Sequence, residues 1–149
     1  MEIKWVDTHC HLQLLNKNLD ENHFKNIEFL VIPGVDVESS SKAKEISSSL
    51  EVESYWSAGL HPHDAKLLDT QRHDLEKLFV EADLIGETGL DFYRNLSTKE
   101  EQRENFLFHL DFSKQLNKPI IIHCRDSFQD TFDLLVEFNN PSSVILHSW

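Results

Sequence analysis

The chain has 149 residues, 40% hydrophobic and 27% charged, with 4 glycines and 4 prolines. That balance excludes a disordered, collagen-like or coiled-coil protein, and the length fits a single domain over 1–149. Lysine and arginine number 14 against 26 aspartates and glutamates, a formal net charge of −12, so the chain lacks the basic footprint of a protein held on nucleic acid by charge alone.

The first expected strand, Trp5–Cys10, runs into Asp7-Thr8-His9-Cys10-His11. Alternate residues of a strand share a face, so Asp7, His9 and His11 project together with Cys10 opposite, and two imidazoles at this spacing can chelate one divalent ion. A weak helix is expected near Leu19–Asn26, then a strand over Phe29–Ile32. The helix Glu38–Leu50 carries serines at Ser39–Ser41 and Ser47–Ser49 and reads as a weak surface helix. The strand Tyr55–Gly59 leads into His61-Pro62-His63, two histidines that either ligate metal or hydrogen-bond a substrate anion, and then into the helix Asp64–Glu81.

The strand Leu84–Glu87 ends on a carboxylate, and Asp91 beyond it either orders the loop or binds an imidazole. In the helix Lys99–Leu116 the residues Phe106, Leu110, Phe112 and Leu116 form an apolar stripe, with a capping box expected from Ser97 to Glu100. The strand Ile120–His123 is a continuous apolar run closed by a histidine. Arg125 shares the parity of His123 and is expected to point into the site, where a guanidinium suits phosphate. The helix Ser127–Glu137 and the strand Val144–His147, again closed by a histidine, complete the chain.

Strand–helix alternation repeated six times predicts an α/β fold with a parallel sheet. An open doubly wound sheet and a (β/α) barrel compete. No G-x-G-x-x-G or Walker-type loop occurs, which weakens the nucleotide-binding open sheet. A closed eight-stranded barrel takes about 200–250 residues or more, so the barrel reading is an incomplete (β/α)8 TIM-type barrel with roughly two strands missing.

In either architecture ligands gather where strands end. His9, His11, Glu87, His123 and His147 would lie on one rim. Four imidazoles and one carboxylate can support two divalent ions sharing a bridging oxygen, with nitrogen and oxygen donors suiting Zn, Mn, Co or Fe better than Mg. Such ions supply positive charge that the formal sum omits, so a nucleic-acid substrate stays open. His23, His73 and His109 fall inside expected helices and read as surface or packing residues, and Cys10 and Cys124 as small buried hydrophobes.

Two cysteines are too few for a disulfide framework, no apolar run reaches the ~20 residues of a membrane helix, and Met1–Trp5 lacks the features of a signal peptide, so a cytoplasmic protein is expected.

Four segments together carry a resemblance: Asp7-Thr8-His9-Cys10-His11-Leu12, Gly59-Leu60-His61-Pro62-His63, Ile85-Gly86-Glu87-Thr88-Gly89-Leu90-Asp91 and Pro119-Ile120-Ile121-Ile122-His123-Cys124-Arg125. In order and spacing, from Val6 to His147, the chain resembles the TatD-like deoxyribonucleases, metal-dependent hydrolases of the amidohydrolase-like barrel group. The resemblance implies a two-metal (β/α)8 barrel acting on DNA, often as a 3′–5′ exonuclease. It implies that His9 and His11 ligate one ion, that Glu87 bridges as the catalytic carboxylate, and that His123 and His147 ligate the other. It places His61 and His63 beside the site as phosphate contacts, where the parity of Arg125 adds a third expected substrate contact. After His147 the family continues with two further βα units that hold a last metal-site aspartate, whereas here Ser148-Trp149 follow. Open first and sixth strands imply self-association or a complementing fragment at the sheet edges.

Overall fold

The computed structural model describes residues 3–15, 20–139 and 143–147. Its strands are β1 (Trp5–Asp7), β2 (Ile27–Pro33), β3 (Glu53–Ala58), β4 (Leu84–Asp91), β5 (Ile120–Arg125) and β6 (Val144–His147). Its α-helices are α1 (Val37–Ser49), α2 (Leu68–Glu81), α3 (Lys99–Leu116) and α4 (Phe128–Glu137). All neighbouring strands pair in parallel, and the sheet order is β1-β2-β3-β4-β5-β6. Each strand therefore lies beside its sequence neighbour, and the order never reverses. A doubly wound sheet needs such a reversal, so the sheet is a half-barrel with helices between its strands.

Strand alternation sorts the core into two layers. Ile32, Ala58, Ile85, Leu90, Ile120 and Ile122 face the helices and pack with Leu75, Phe79, Phe106, Leu110 and Leu134. Val31, Leu84 and Ile121, joined by Phe29 and Ile145, form the smaller layer on the opposite face. His123 and Arg125 share parity with Ile121, and His147 with Ile145, so this second layer floors the rim where the histidines gather.

Several expected elements shift. β1 stops at Asp7, so His9 and His11 lie beyond the strand, and backbone pairing continues there only through Cys10 N–H to Val31 O at 3.0 Å. β4 extends four residues past Glu87, because its ladder with β5 runs on to Asp91↔Arg125. Glu87 is thus mid-strand, not terminal. Glycine permits that ladder: Gly89 has φ +135°, and a Cβ on it would lie 2.1 Å from His123 O.

The weak helix near residue 19 is a single 3-10 turn, Glu21–Phe24, and Leu19 lies outside the described residues, as do Ser148 and Trp149. The helix expected from Asp64 begins as a 3-10 segment, Pro62–Leu67, before α2 starts at Leu68.

α1 is not a surface helix. Ser39, Ser40 and Ala43 are buried, and a Cβ on Gly34 would sit 2.1 Å from Ser40 Oγ, so the small residues let the helix press onto the β2–α1 loop. The capping box of α3 is Thr98 with Glu101, one residue later than the Ser97–Glu100 pair. Ser97 is already engaged: its hydroxyl donates to His63 O at 2.9 Å and accepts from Lys66 N–H at 3.2 Å. No helix among the described residues is long and apolar enough to cross a membrane.

Candidate metal centre

Glu87 is the hub of the rim. Its side chain is buried, and its two oxygens face different partners. Oε2 lies 3.2 Å from His9 Nε2 and 3.4 Å from His11 Nε2, which are themselves 3.0 Å apart. Oε1 lies 3.2 Å from His123 Nδ1 and 3.8 Å from His61 Nε2. Burial raises the carboxyl's pKa, but hydrogen bonds from His11, His123 and His9 hold it well below the usual range.

β1 ends too early to align His9 and His11 as strand neighbours. Asp7 Oδ1 accepts the His9 N–H at 3.1 Å, and His11 Nδ1 donates to Pro33 O at 3.0 Å. Because a carbonyl can only accept, the second contact places a proton on His11 Nδ1 and fixes the ring's orientation, the contact common behind metal-bound histidines.

The ring of His147 stacks on His9, with centroids 3.5 Å apart and planes 14° from parallel, and donor atoms of His9, Glu87 and His147 lie within 4.8 Å of one another. Burial lowers the His147 pKa, and His9 lowers it further.

The second carboxylate is Asp91, fully buried. Its Oδ2 meets His63 Nε2 at 2.7 Å and His123 Nε2 at 3.1 Å, and its Oδ1 accepts the backbone N–H groups of Tyr93 and Arg94 at 3.0 and 2.8 Å. Burial raises its pKa, yet the Arg94 amide and the two imidazoles bring it down to about 2. His123 lies between both carboxylates. Burial works against its charge, but Glu87 and Asp91 outweigh that and raise its pKa.

His61 goes the other way. Burial drives its pKa down to about 3, against Glu87 and with help from His123 and His63. His61 Nδ1 accepts the His63 N–H at 3.2 Å, so its neutral ring carries the proton on Nε2.

The donor set fits a divalent ion. Two ligands at about 2.0–2.1 Å on a tetrahedral ion lie roughly 3.3 Å apart. The three separations among His9 Nε2, His11 Nε2 and Glu87 Oε2, from 3.0 to 3.4 Å, match that edge. A second group of donors, from His61, His63 and His123, also falls within 4.8 Å.

Arg125 is exposed at the mouth, with its guanidinium 3.9 Å above the ring of Tyr93. Cys10 and Cys124 face away from this centre. Burial, and then the charge of Asp7, push the Cys10 thiol up to about 12, which fits an inert packing group.

Sequence reasoning understated two residues. Asp91 joins His63 to His123, and His109 does more than fill space. His109 is fully buried on α3, where its Nε2 accepts the Leu60 N–H at 3.0 Å and its Nδ1 donates to Asn105 O at 2.8 Å. Asn105 Nδ2 in turn donates to Leu60 O at 2.7 Å, so α3 grips both polar groups of the residue preceding His61. A polar residue inside an otherwise apolar stripe was the available signal.

A half-barrel with a buried carboxylate and clustered imidazoles at its C-terminal rim defines an α/β barrel-type protein whose side chains could hold a divalent ion. The chain belongs to the family described as TatD related DNase, which matches residues 6–149.

Similar curated proteins include an uncharacterized metal-dependent hydrolase of Buchnera aphidicola (subspecies Baizongia pistaciae), 32% identical over 97% of this chain and 58% of that protein. Another is the 3′–5′ ssDNA/RNA exonuclease TatD of Escherichia coli, 36% identical over 71% of this chain and 42% of that protein. Among solved structures, the TatD homolog YJJV of Escherichia coli superposes with a TM-score of 0.88 at 21% identity, covering all of this chain and 61% of that one. The likeness to YJJV concerns the fold. The chain spans 58% of the Buchnera relative's length and 42% of the exonuclease's.

Proposed function

We propose that the chain is the metal-binding part of a two-metal phosphodiesterase acting on DNA, with His9 and His11 ligating one ion, His123 and His147 the other, and Glu87 bridging them. One observation carries this reading. The two oxygens of a single buried carboxylate face two separate sets of imidazole nitrogens, Oε2 toward His9 and His11 and Oε1 toward His123.

Divalent ions held there supply Lewis-acid chemistry, neutralising phosphate charge and making water a nucleophile at neutral pH. The protein's own groups orient and exclude. Glu87, with burial around it and imidazoles on both oxygens, stays ionised and fixed. His61 presents an Nε2–H toward the same space and donates to a phosphate oxygen. Asp91 orients His63 toward the same space and holds the ring of His123 in place through its Nε2. Arg125 adds positive charge at the mouth.

Metal analysis of the purified chain tests this directly. Two ions per chain are expected, and Glu87→Gln removes the bridging charge and lowers affinity by at least about 100-fold. Hydrolysis of single-stranded DNA is expected to cease on chelation and to return with added metal. A chain that binds one ion or none, or a Glu87→Gln variant that binds as well as the wild type, overturns the reading. The relatives named only as metal-dependent hydrolases favour a broader substrate class, and a panel of aryl phosphodiesters, esters and lactones run beside DNA decides between them.

A further inference from the structure

The arginines are unevenly placed. The chain has four. Arg72 and Arg103 lie on the outer helices and pair with Glu104 at 3.1 Å and Glu137 at 3.2 Å. Arg94 and Arg125 lie beside the ends of β4 and β5, and among the described residues neither forms an ion pair with a carboxylate. In a chain of net charge −12, the unneutralised guanidinium charge is thus confined to the mouth of the metal centre.

One of these arginines is stacked on an aromatic ring. Arg125 lies 3.9 Å above Tyr93, and Tyr93 is 58% exposed. Exposed tyrosine needs no explanation alone. Here, though, the backbone around the pair is clamped. Asp91 Oδ1 accepts from the Tyr93 and Arg94 amides, and Phe92 N–H donates to Arg125 O at 2.9 Å. Asp91 Oδ2 meanwhile holds His63 and His123. One buried carboxylate therefore fixes the aromatic loop and the imidazoles of the centre together. Arg125 stands two residues beyond His123 on the same face of β5, about 6.6 Å further along the strand. That distance carries the stack past the phosphate site to the nucleotide beside it.

We propose that Tyr93 and Arg125 form a stacking platform for an unpaired nucleobase adjacent to the phosphate bound at the metal centre. The proposal rests on the nucleic-acid reading of that centre and names the residues that select single strands. The guanidinium covers one side of the ring, and the exposed remainder of the ring and the outer side of the guanidinium plane accept a base. A base inside a duplex has both faces occupied by its neighbours, whereas an unpaired base offers its face to the platform, whatever its identity.

The test is binding of a 5′-labelled oligothymidylate of about ten nucleotides, with phosphorothioate linkages to slow cleavage, followed by fluorescence anisotropy in manganese. Tyr93→Leu is expected to weaken binding about tenfold and Tyr93→Phe to leave it unchanged. Arg125→Lys also weakens it, since a point charge does not stack. An abasic residue stepped through the oligomer is expected to reproduce the loss at one position. There Tyr93→Leu costs nothing further, because the two changes remove the same contact. Thermal midpoints of the variants, expected to be unchanged at these exposed positions, exclude a folding effect. If Tyr93→Leu binds intact and abasic oligomers as the wild type does, or if the two losses add, the platform is overturned and the phosphate reading stands. If neither kind of oligomer binds the wild-type chain, both readings fall.

Discussion

Gly89 shows how closely single residues set the geometry of the centre. With φ at +135° and no room for a Cβ beside the carbonyl of His123, it lets β4 and β5 approach between Glu87 and His123. Gly89→Ala places a methyl in the left-handed region and 2.1 Å from that oxygen. The expected cost is roughly 3 kcal/mol or more, read as a lower urea midpoint, with loss of metal affinity because the two strands must separate where the ligands sit. A variant as stable as the wild type would mean that β4 can shift without harm.

What was legible in the sequence is the meeting of His9, His11, Glu87, His123 and His147 at one rim, with His123 sharing the parity of Ile121. Tyr93 was not legible. An aromatic residue beyond a strand carries no periodic signal, and its place depends on an aspartate turn and on an arginine over thirty positions away.

At the scale of elements, α3 couples to the loop that carries His61 through His109. The Leu60 amide can only donate and the Asn105 carbonyl can only accept, so His109 must be neutral with its proton on Nδ1. Burial holds its pKa down to about 4, with Arg72 lowering it further and the Asn105 hydrogen bond opposing. In the unfolded chain the same ring takes its proton near 6.5.

Between those values the unfolded state binds more protons, so stability falls as pH drops from about 6.5 to about 4. The loss from this one group is about 3 kcal/mol once pH is below both values, and no penalty remains above neutrality. Urea titrations at several pH values are expected to show a slope shallower by about one proton in His109→Gln than in the wild type. Equal slopes would remove His109 from the account. The six strands and four helices were legible from apolar runs and stripes. Their ends were not, because β1 loses its regular ladder after Asp7 while isolated pairing goes on at Cys10, and β4 runs on where glycine allows pairing.

At the scale of the molecule, the sheet has two edges among the described residues, β1 and β6, and both border apolar surface. On β1, Trp5 is 63% and Val6 44% exposed. Beside β6, α4 buries Thr131 and Leu134 on one side and exposes Phe132 and Val136 on the other, next to Leu146. A helix apolar on both sides belongs between two layers, and α4 has the sheet on one side only. The opposite face of the sheet adds a pocket of about 460 Å³ lined by Phe29, Val31, Tyr55, Leu84, Pro119 and Ile145, at the end of the strands away from the histidines.

Parallel edges and apolar faces of this kind pair with other chains unless covered. The 149-residue chain on its own is therefore expected to associate with itself as concentration rises. Light scattering coupled to size exclusion should give masses above 17.4 kDa that fall on dilution. Phe132→Lys with Val136→Lys charges the α4 face without touching Glu87 or its histidines, so it is expected to shift the population toward the monomer while metal content stays at the wild-type value. A wild-type chain that stays at 17.4 kDa at every concentration would show that these surfaces do not drive association. A double variant that is monomeric but has lost its metal would show instead that association completes the centre.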